Sequence, residues 1–315
     1  MKHLLAGIDI GGTRVKLGIA EPETGKVLNS MVIDTCKDSE AAFLLSVSNA
    51  LDQCLKELEL KKAELIGAGV SIGSYVFADG SIDGMSSFVP FMTEGYPLVQ
   101  RIEETLGMPV RADNDARLIG LAESRYGAGK GYGRTLTITL GTGVGIGICV
   151  DGKPLGDEAF FHLAGHVKVR RGGDIPCLDQ EPCYCGLKGC FESTCSGTSL
   201  EKYLRDVWDA GMTNQKFFQL AEQGDDEALR HLEWYLGHLT DALNQYVYFY
   251  CPDIIILGGG VSKGLIPWKD EIAKRIVAKV HFRQKIVLSI SSLMEDSGIL
   301  GAVSLFYSTG NIIPC

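Results

Sequence analysis

Nothing in this chain of 315 residues approaches the roughly twenty consecutive apolar residues that a membrane-spanning helix needs. A secretory leader is not expected either. After Met1-Lys2-His3 the apolar run extends only from Leu4 to Ile8 before Asp9 ends it. Positive charge is in deficit, with 30 Lys and Arg against 39 Asp and Glu and a formal net charge of −9. Nucleic-acid binders need a cationic surface to displace counterions, so this balance argues against that class. The ten cysteines lack the context of a disulfide framework. Cys36, Cys54, Cys149 and Cys251 are scattered through stretches that read as core or element ends, and a reducing cytoplasm is the expected setting. A hydrophobic content of 45% with 22% charged residues is ordinary for a globular enzyme. The length allows two domains sharing a cleft, or one large domain.

Of the other six cysteines, three stand close together. Cys183-Tyr-Cys185-Gly-Leu-Lys-Gly-Cys190-Phe-Glu192 packs three thiols and a carboxylate into ten positions, with Gly165-His166 upstream. Thiolate and imidazole suit a borderline-soft cation, and short glycine turns let a loop fold around it. His166, Cys183, Cys185 and Cys190 therefore read as a tetrahedral zinc set. The alternative is a cysteine-rich surface loop with no metal.

Residues 4–10 read as a buried strand and 14–20 as a second, joined by Gly11, Gly12 and Thr13. That is a hairpin turn, not the strand-to-helix step of a Walker or dinucleotide loop. Adjacent glycines can aim amide N–H groups at an anion, and Thr13 adds a hydroxyl. Asp9 at the strand end can hold Mg²⁺, usually through water. An ordinary Gly-Gly hairpin explains the turn equally well. The design recurs over 135–150: strand, Gly141-Thr142-Gly143, strand. Two such turns, one in each half, look like a clamp on a polyphosphate. Gly258-Gly259-Gly260 follows the apolar strand 252–257 and permits close approach of a flat ligand such as adenine, or makes a tight turn. Asn114 and Asp115 stand between a short strand, 109–112, and a helix over 116–126, where open α/β sheets bind ligands. A helix N-cap explains one of Asp113, Asn114 and Asp115 well and all three poorly. Helices are further expected over 39–60, 97–106, 199–208, 214–223 and 226–250, and from Ser297 onward. Strands are expected over 65–72, running into Gly73, and over 286–290, and glycine-rich 127–133 reads as a hinge or linker.

Asp9-x-Gly11-Gly12-Thr13-x-x-Lys16, Asn114-Asp115, Leu140-Gly141-Thr142-Gly143-x-Gly145, Gly165-His166, Cys183-x-Cys185-Gly186-x-x-Gly189-Cys190-x-Glu192 and Gly258-Gly259-Gly260 occur in that order. The ordered set resembles the ROK family of sugar kinases and sugar-responsive repressors, over nearly the whole chain. The resemblance implies an α/β fold of the actin-like ATPase (ribonuclease H-like) kind, two domains around a central cleft. Residues 1–116 with 298–315 would form the small domain, with the first phosphate turn and the catalytic Asp. Residues 117–297 would form the large one, with the second phosphate turn, the zinc loop and the adenine site.

The activity implied is ATP- and Mg²⁺-dependent phosphorylation of a hexose at its 6-hydroxyl. Asp115 would take the hydroxyl proton as the oxygen attacks the γ-phosphate. Asn114, the Gly73 backbone, Glu192 and His166 would hold the sugar. Asp9, Gly11, Gly12, Thr13, Lys16, Gly141, Thr142, Gly143, Gly258, Gly259 and Gly260 would hold the nucleotide and its Mg²⁺. With all four of its positions filled by protein, Zn²⁺ would be structural and would keep His166 and Glu192 in place. The implied partners are a small-molecule sugar and ATP, with no nucleic acid and no membrane, and the family's habit implies a homodimer. Within the family, Glu192-Ser-Thr-Cys195-Ser196-Gly197 and Gly173-Asp174 look most like D-allose kinases. Glucokinase, fructokinase, N-acetylmannosamine kinase and a degenerate sugar-binding regulator are the alternatives. The family's repressors carry a DNA-binding segment ahead of the kinase-like part, and a first strand at Leu4 leaves no room for one.

Three stretches depart from the family pattern. Ser87-Phe88 stands where a Pro-Asn is usual, and His162-Leu163-Ala164 replaces a Glu that contacts sugar. Losing a charged acceptor from a hydroxyl costs about 1.5–3 kcal/mol, so glucose is expected to bind poorly unless His162 substitutes. The gap from His166 to Cys183 is also longer, with Cys177 inserted as a competing ligand.

Overall fold

The computed structural model describes residues 3–84, 89–156, 164–169, 182–308 and 311–312. The chain begins with β1 (Leu4–Ile10), β2 (Arg14–Glu21), β3 (Lys26–Asp34), α1 (Glu40–Glu57), β4 (Leu65–Ile72), α2 (Leu98–Leu106), β5 (Val110–Asn114) and α3 (Asp115–Arg125). It continues through β6 (Arg134–Leu140), β7 (Val144–Val150), β8 (Lys153–Pro154), α4 (Phe191–Cys195), α5 (Gly197–Val207), α6 (Asn214–Glu222) and α7 (Asp226–Tyr250). It closes with β9 (Ile254–Gly258), α8 (Gly260–Gly264), α9 (Lys269–Val277), β10 (Val287–Ile290), α10 (Ser297–Val303) and the short β11 (Tyr307–Ser308) and β12 (Asn311–Ile312).

Local chemistry sets the helix ends. The Ser39 hydroxyl accepts the Ala42 N–H at the start of α1, and the Asp225 carboxylate accepts the Ala228 N–H at the start of α7. Helix α7 stops where Cys251 turns left-handed, with Pro252 next.

Two sheets carry the chain, in the orders β3-β2-β1-β4-β5 and β10-β9-β6-β7-β8. In the first, β1 pairs antiparallel with β2 and parallel with β4. In the second, β6 pairs antiparallel with β7 and parallel with β9. Counted outward from β1 and from β6 the two orders are the same. The strand–glycine turn–strand pattern that recurs in the sequence is the visible trace of that repeated sheet.

The chain divides into two compact units, residues 1–131, 152–160 and 293–315, and residues 132–151 and 161–292. The switch thus comes after Gly131, inside the glycine-rich stretch 127–133, and not after Ala116. Helix α3 stays with the first unit because it packs along α10, and the return to that unit comes at Leu293, ahead of α10.

Alternation along β1 builds the first unit. Leu4, Ala6, Ile8 and Ile10 share one core with Phe43, Val47 and Leu51 of α1 and with Leu98 and Ile102 of α2. Leu5 joins the other, with Ala122 of α3 and Leu300 and Val303 of α10. Each fully buried Leu, Ile or Phe side chain contributes roughly 1.5–3 kcal/mol. On the α10 face glycine takes the central positions. A Cβ on Gly7 would stand 2.5 Å from the Ile299 carbonyl oxygen, and one on Gly69 of β4 would stand 2.0 Å from that of Ala302. The helix therefore lies directly on the strand backbones, and on its other side Gly301 lets it lie as close to α3, where a Cβ would stand 2.4 Å from the Leu118 carbonyl oxygen. Gly69→Ala should cost about 1–3 kcal/mol by overpacking, read as a lower midpoint in thermal or urea unfolding. An unchanged midpoint would contradict the backbone-to-backbone contact.

Among the described residues, all eight cysteines are free thiols, and no helix is long and apolar enough to cross a membrane.

Candidate active site

Following β1 and β4 to their carboxyl ends, the α10 face turns from glycine to polar groups. Asp9 and Ser71 are adjacent across the ladder, and the Ser71 hydroxyl donates to Asp9 Oδ1 at 2.7 Å. A Cβ on Gly298 would stand 2.4 Å from Asp9 Oδ2, so only glycine lets the first turn of α10 sit over this carboxylate. Burial pushes the Asp9 carboxyl up to about 6 against the pull of the Ser71 hydroxyl, and the charge of Asp115 adds to the rise. Lys16 lies opposite Asp9 on β2, and its ammonium is paired with Glu295.

Asp115 opens α3. Its Oδ1 accepts the Ala116 N–H at 2.7 Å, yet burial outweighs that bond and raises its pKa. Asn114 is the N-cap, with Oδ1 accepting the N–H groups of Ala116 (3.0 Å) and Arg117 (3.4 Å). Its Nδ2 donates over a long 3.4 Å to the carbonyl oxygen of Ser74, beside Gly73 at the end of β4. The cap thus accounts for Asn114.

In the β1–β2 turn, the Gly11 N–H donates to the Arg14 carbonyl oxygen at 3.0 Å. Neither Gly11 nor Gly12 is left-handed. Gly11 matters for space, since a Cβ there would stand 2.9 Å from that same oxygen. Thr35 fastens the turn from β3's end, with its hydroxyl donating to the Gly11 carbonyl oxygen (2.7 Å) and its N–H to that of Thr13 (2.9 Å). No sequence signal had pointed to Thr35.

The second unit holds the rest of the expected residues. Gly141, Thr142 and Gly143 join β6 to β7, closed by the Gly141 N–H donating to the Gly143 carbonyl oxygen at 3.0 Å. Beside the turn is a cavity of about 1110 Å³, lined by Gly141, Thr142, Gly197, Asn214, Phe218 and Gly260 among others. Of the three consecutive glycines, Gly260 lines it. Gly258 ends β9, and Gly259 (φ +81°) is pressed against the Leu140 backbone, where a Cβ would stand 2.5 Å from its carbonyl oxygen. Sequence reasoning missed the α5 and α6 contributions. Two cues were available: Gly197 after the capping Ser196, and Gly264, which leaves room for the Phe218 ring 2.2 Å from its would-be Cβ.

The cysteine loop closes as the spacing predicts. The ligand atoms of His166, Cys183, Cys185 and Cys190 all lie within 4.8 Å of one another. His166 Nδ1 is 3.3 Å from Cys183 Sγ, and the sulfurs of Cys185 and Cys190 are 3.6 Å apart. Left-handed Gly186 and Gly189 shape the loop. Burial pushes the Cys190 thiol up to about 12, so a metal here would displace protons. Three thiols and an imidazole nitrogen converging this closely fit a tetrahedral Zn²⁺ site. His166 Nε2 lies 2.9 Å from the Tyr184 hydroxyl. Glu192, in the first turn of α4, accepts the Val144 N–H through Oε2 at 3.0 Å. Ser87, Phe88, His162, Leu163, Gly173, Asp174 and Cys177 lie outside the described residues.

A repeated five-stranded sheet with a glycine turn joining its first two strands defines the actin-like ATPase fold. The chain belongs to the ROK family, whose sequence model matches residues 5–309. It is 30% identical to a glucokinase of Thermotoga maritima, over 96% of this chain and 97% of that protein. It is 30% identical to an N-acetylgalactosamine kinase of Shewanella sp. (strain ANA-3), over 95% of each. Among solved structures, a ROK family glucokinase from Streptomyces griseus in complex with glucose and AMPPNP superposes with a TM-score of 0.76, at 26% identity over 96% of this chain and 98% of that one.

Proposed function

We propose that this ATP-dependent sugar kinase transfers the γ-phosphoryl group of ATP to the 6-hydroxyl of an aldohexose. The reading is carried by Asp9 and Asp115, two carboxylates close enough to interact at the strand ends of the first unit. Asp115 is the base: the sugar O6 forms its bond to the γ-phosphorus as the bond to ADP breaks, and the O6 proton passes to the Asp115 carboxylate. In a loose phosphoryl-transfer transition state the proton leaves late, so placing O6 is the larger part of the work. Burial raises the basicity of Asp115, which favours the transfer. Asn114 holds the first turn of α3, and its weakly bonded Nδ2 is free to exchange the Ser74 carbonyl for a sugar hydroxyl.

Asp9 would hold Mg²⁺, directly or through water, and that cation would neutralise charge on the phosphate oxygens when bound. The turns Gly11–Thr13 and Gly141–Gly143, with Lys16, would face the phosphates, and Gly260 with Phe218 would border the adenine. His166, Cys183, Cys185 and Cys190 would hold a structural Zn²⁺ through Nδ1 and three sulfurs. His166 Nε2–H would then donate to the Tyr184 oxygen, fixing the ring. Glu192 would hold a ring hydroxyl.

The acceptor is the finer question. D-allose is the reading of the segment 192–197, while similarity to a glucokinase and an N-acetylgalactosamine kinase favours glucose or an N-acetylhexosamine. Within that segment Ser196 caps α5 and Gly197 meets the phosphate-side turn, duties unrelated to the sugar. An ATP-consumption screen over allose, glucose, mannose, fructose, N-acetylmannosamine, N-acetylglucosamine and N-acetylgalactosamine decides it. The expected result is a 6-phosphate from at least one hexose. Turnover faster on glucose or an N-acetylhexosamine would refute the allose reading, and no turnover on any would refute the proposal.

A further inference from the structure

We infer that Glu192 positions the turn Gly141-Thr142-Gly143 and through it couples sugar binding to nucleotide binding. The inference rests on the sugar-kinase reading above, in which Glu192 holds a ring hydroxyl and the turn faces phosphate. Its basis is the contact between the two. Glu192 Oε2 accepts the N–H of Val144, the first amide after the turn, at 3.0 Å. A Cβ on Gly143 would stand 2.8 Å from that same oxygen, so the carboxylate lies against the bare Cα of the turn.

The far side of the turn is fastened by the same short segment of chain. The Gly197 N–H donates to the Gly141 carbonyl oxygen at 2.7 Å, and Asn214 Nδ2 donates to the carbonyl oxygen of Gly197 at 2.8 Å. The segment is itself drawn tight on Glu192, whose carbonyl oxygen accepts the Ser196 N–H (3.1 Å) and the Ser199 hydroxyl (3.2 Å). Residues 192–199 therefore grip both flanks of the turn, and the cysteine cluster anchors them, since Cys190 is the residue before α4.

A carboxylate is a rigid plane. With Oε2 on the Val144 amide, a hydroxyl taken up by Oε1 pulls on the group that holds the turn. Linkage makes the effect reciprocal: whatever sugar does to nucleotide affinity, nucleotide does to sugar affinity. Glu192 is on this account a positioning residue for the nucleotide as well as a ligand for the sugar. It accounts for glycine at 143 by contact, not by backbone conformation, because Gly143 is not left-handed.

The test is calorimetric binding of the non-hydrolysable ATP analogue AMPPNP with Mg²⁺, in the absence of any sugar. A residue serving only the sugar leaves this affinity untouched. Glu192→Ala should weaken it by about fivefold or more, the lower end of measured coupling between sites. Glu192→Gln retains an acceptor oxygen at the same reach and should stay near the parent value. Glu192→Asp keeps the charge but withdraws it by one methylene, so it should weaken binding much as Ala does, and it serves if the Ala variant fails to fold. Hydrogen exchange at the Val144 amide should quicken in the Ala and Asp variants and not in Gln. Unchanged AMPPNP affinity in both Ala and Asp would overturn the inference while leaving the kinase reading intact. Failure of the parent protein to bind AMPPNP at all would overturn the kinase reading itself.

Discussion

Asp115→Asn is expected to reduce phosphoryl transfer by about 10²–10⁴-fold, the range that positioned general bases contribute, while sugar affinity stays within a few-fold. The amide preserves the size of the side chain and an oxygen for the Ala116 N–H, which Asp115 Oδ1 accepts at 2.7 Å, so the start of α3 should survive. The pH profile supplies a second readout. Burial raises the Asp115 pKa, and the base works only when ionised. The rate should therefore fall as pH drops through that raised pKa, above the usual carboxylate range of about 3.9. In the Asn variant the share of the acid limb that belongs to Asp115 should be lost, leaving that of Asp9, whose carboxyl is pushed up to about 6. A parent profile flat down to the ordinary carboxylate range would contradict the assignment.

The second large effect concerns the cysteine cluster. Metal analysis of freshly purified protein should find about one zinc per chain, and Cys190→Ala should remove it. Cys190 is fully buried and directly precedes α4, so the loss reaches Glu192 two positions on. A destabilisation above about 4 kcal/mol belongs to a short list of causes that includes loss of a metal, and that size is expected here. Hydrogen exchange should show it as lost protection around 183–192, with much smaller change in the first unit. Protein purified without zinc, or a Cys190→Ala variant as stable as the parent, would remove the structural-metal account.

The sequence disclosed most where local pattern and tertiary need coincide. Strands β1, β4 and β9 emerge within a few residues of expectation because burial on both faces leaves a short continuous apolar run, and the amphipathic α2 and α5 do so because burial on one face imposes a helical period. The repeated glycine turn correctly marked the repeated sheet. Elements held mainly by their neighbours were not legible. Edge strand β3 has no fully buried residue, and α9 buries only Ile272 and Ile276, which leaves little periodicity to read. The five-residue α4 and α8 are too short to nucleate alone; their surroundings fix them.

The candidate site divides along the same line. Chemistry-bearing residue types announced Asp9, Asp115 and the cysteine set, since few other roles explain them in such spacing. Partners that act through backbone contact were silent. Thr35 under the first turn, Gly197 against Gly141 and Gly298 over Asp9 are ordinary residues whose duty appears only once the strands are stacked. The glycines expected to aim their amides at an anion, Gly11 and Gly12, are not left-handed, and neither are Gly141 and Gly143. Space decides at Gly11 and Gly143, where a Cβ would stand 2.9 Å from the Arg14 carbonyl oxygen and 2.8 Å from the Glu192 carboxylate.

The most direct test of the central claim is transfer of label from γ-³²P-ATP to the best acceptor of the sugar screen, run on the parent protein and on Asp115→Asn with sugar binding measured in parallel. The account predicts labelled sugar 6-phosphate from the parent and almost none from the variant, at similar sugar affinity. Labelled product from Asp115→Asn at a rate comparable to the parent would contradict it.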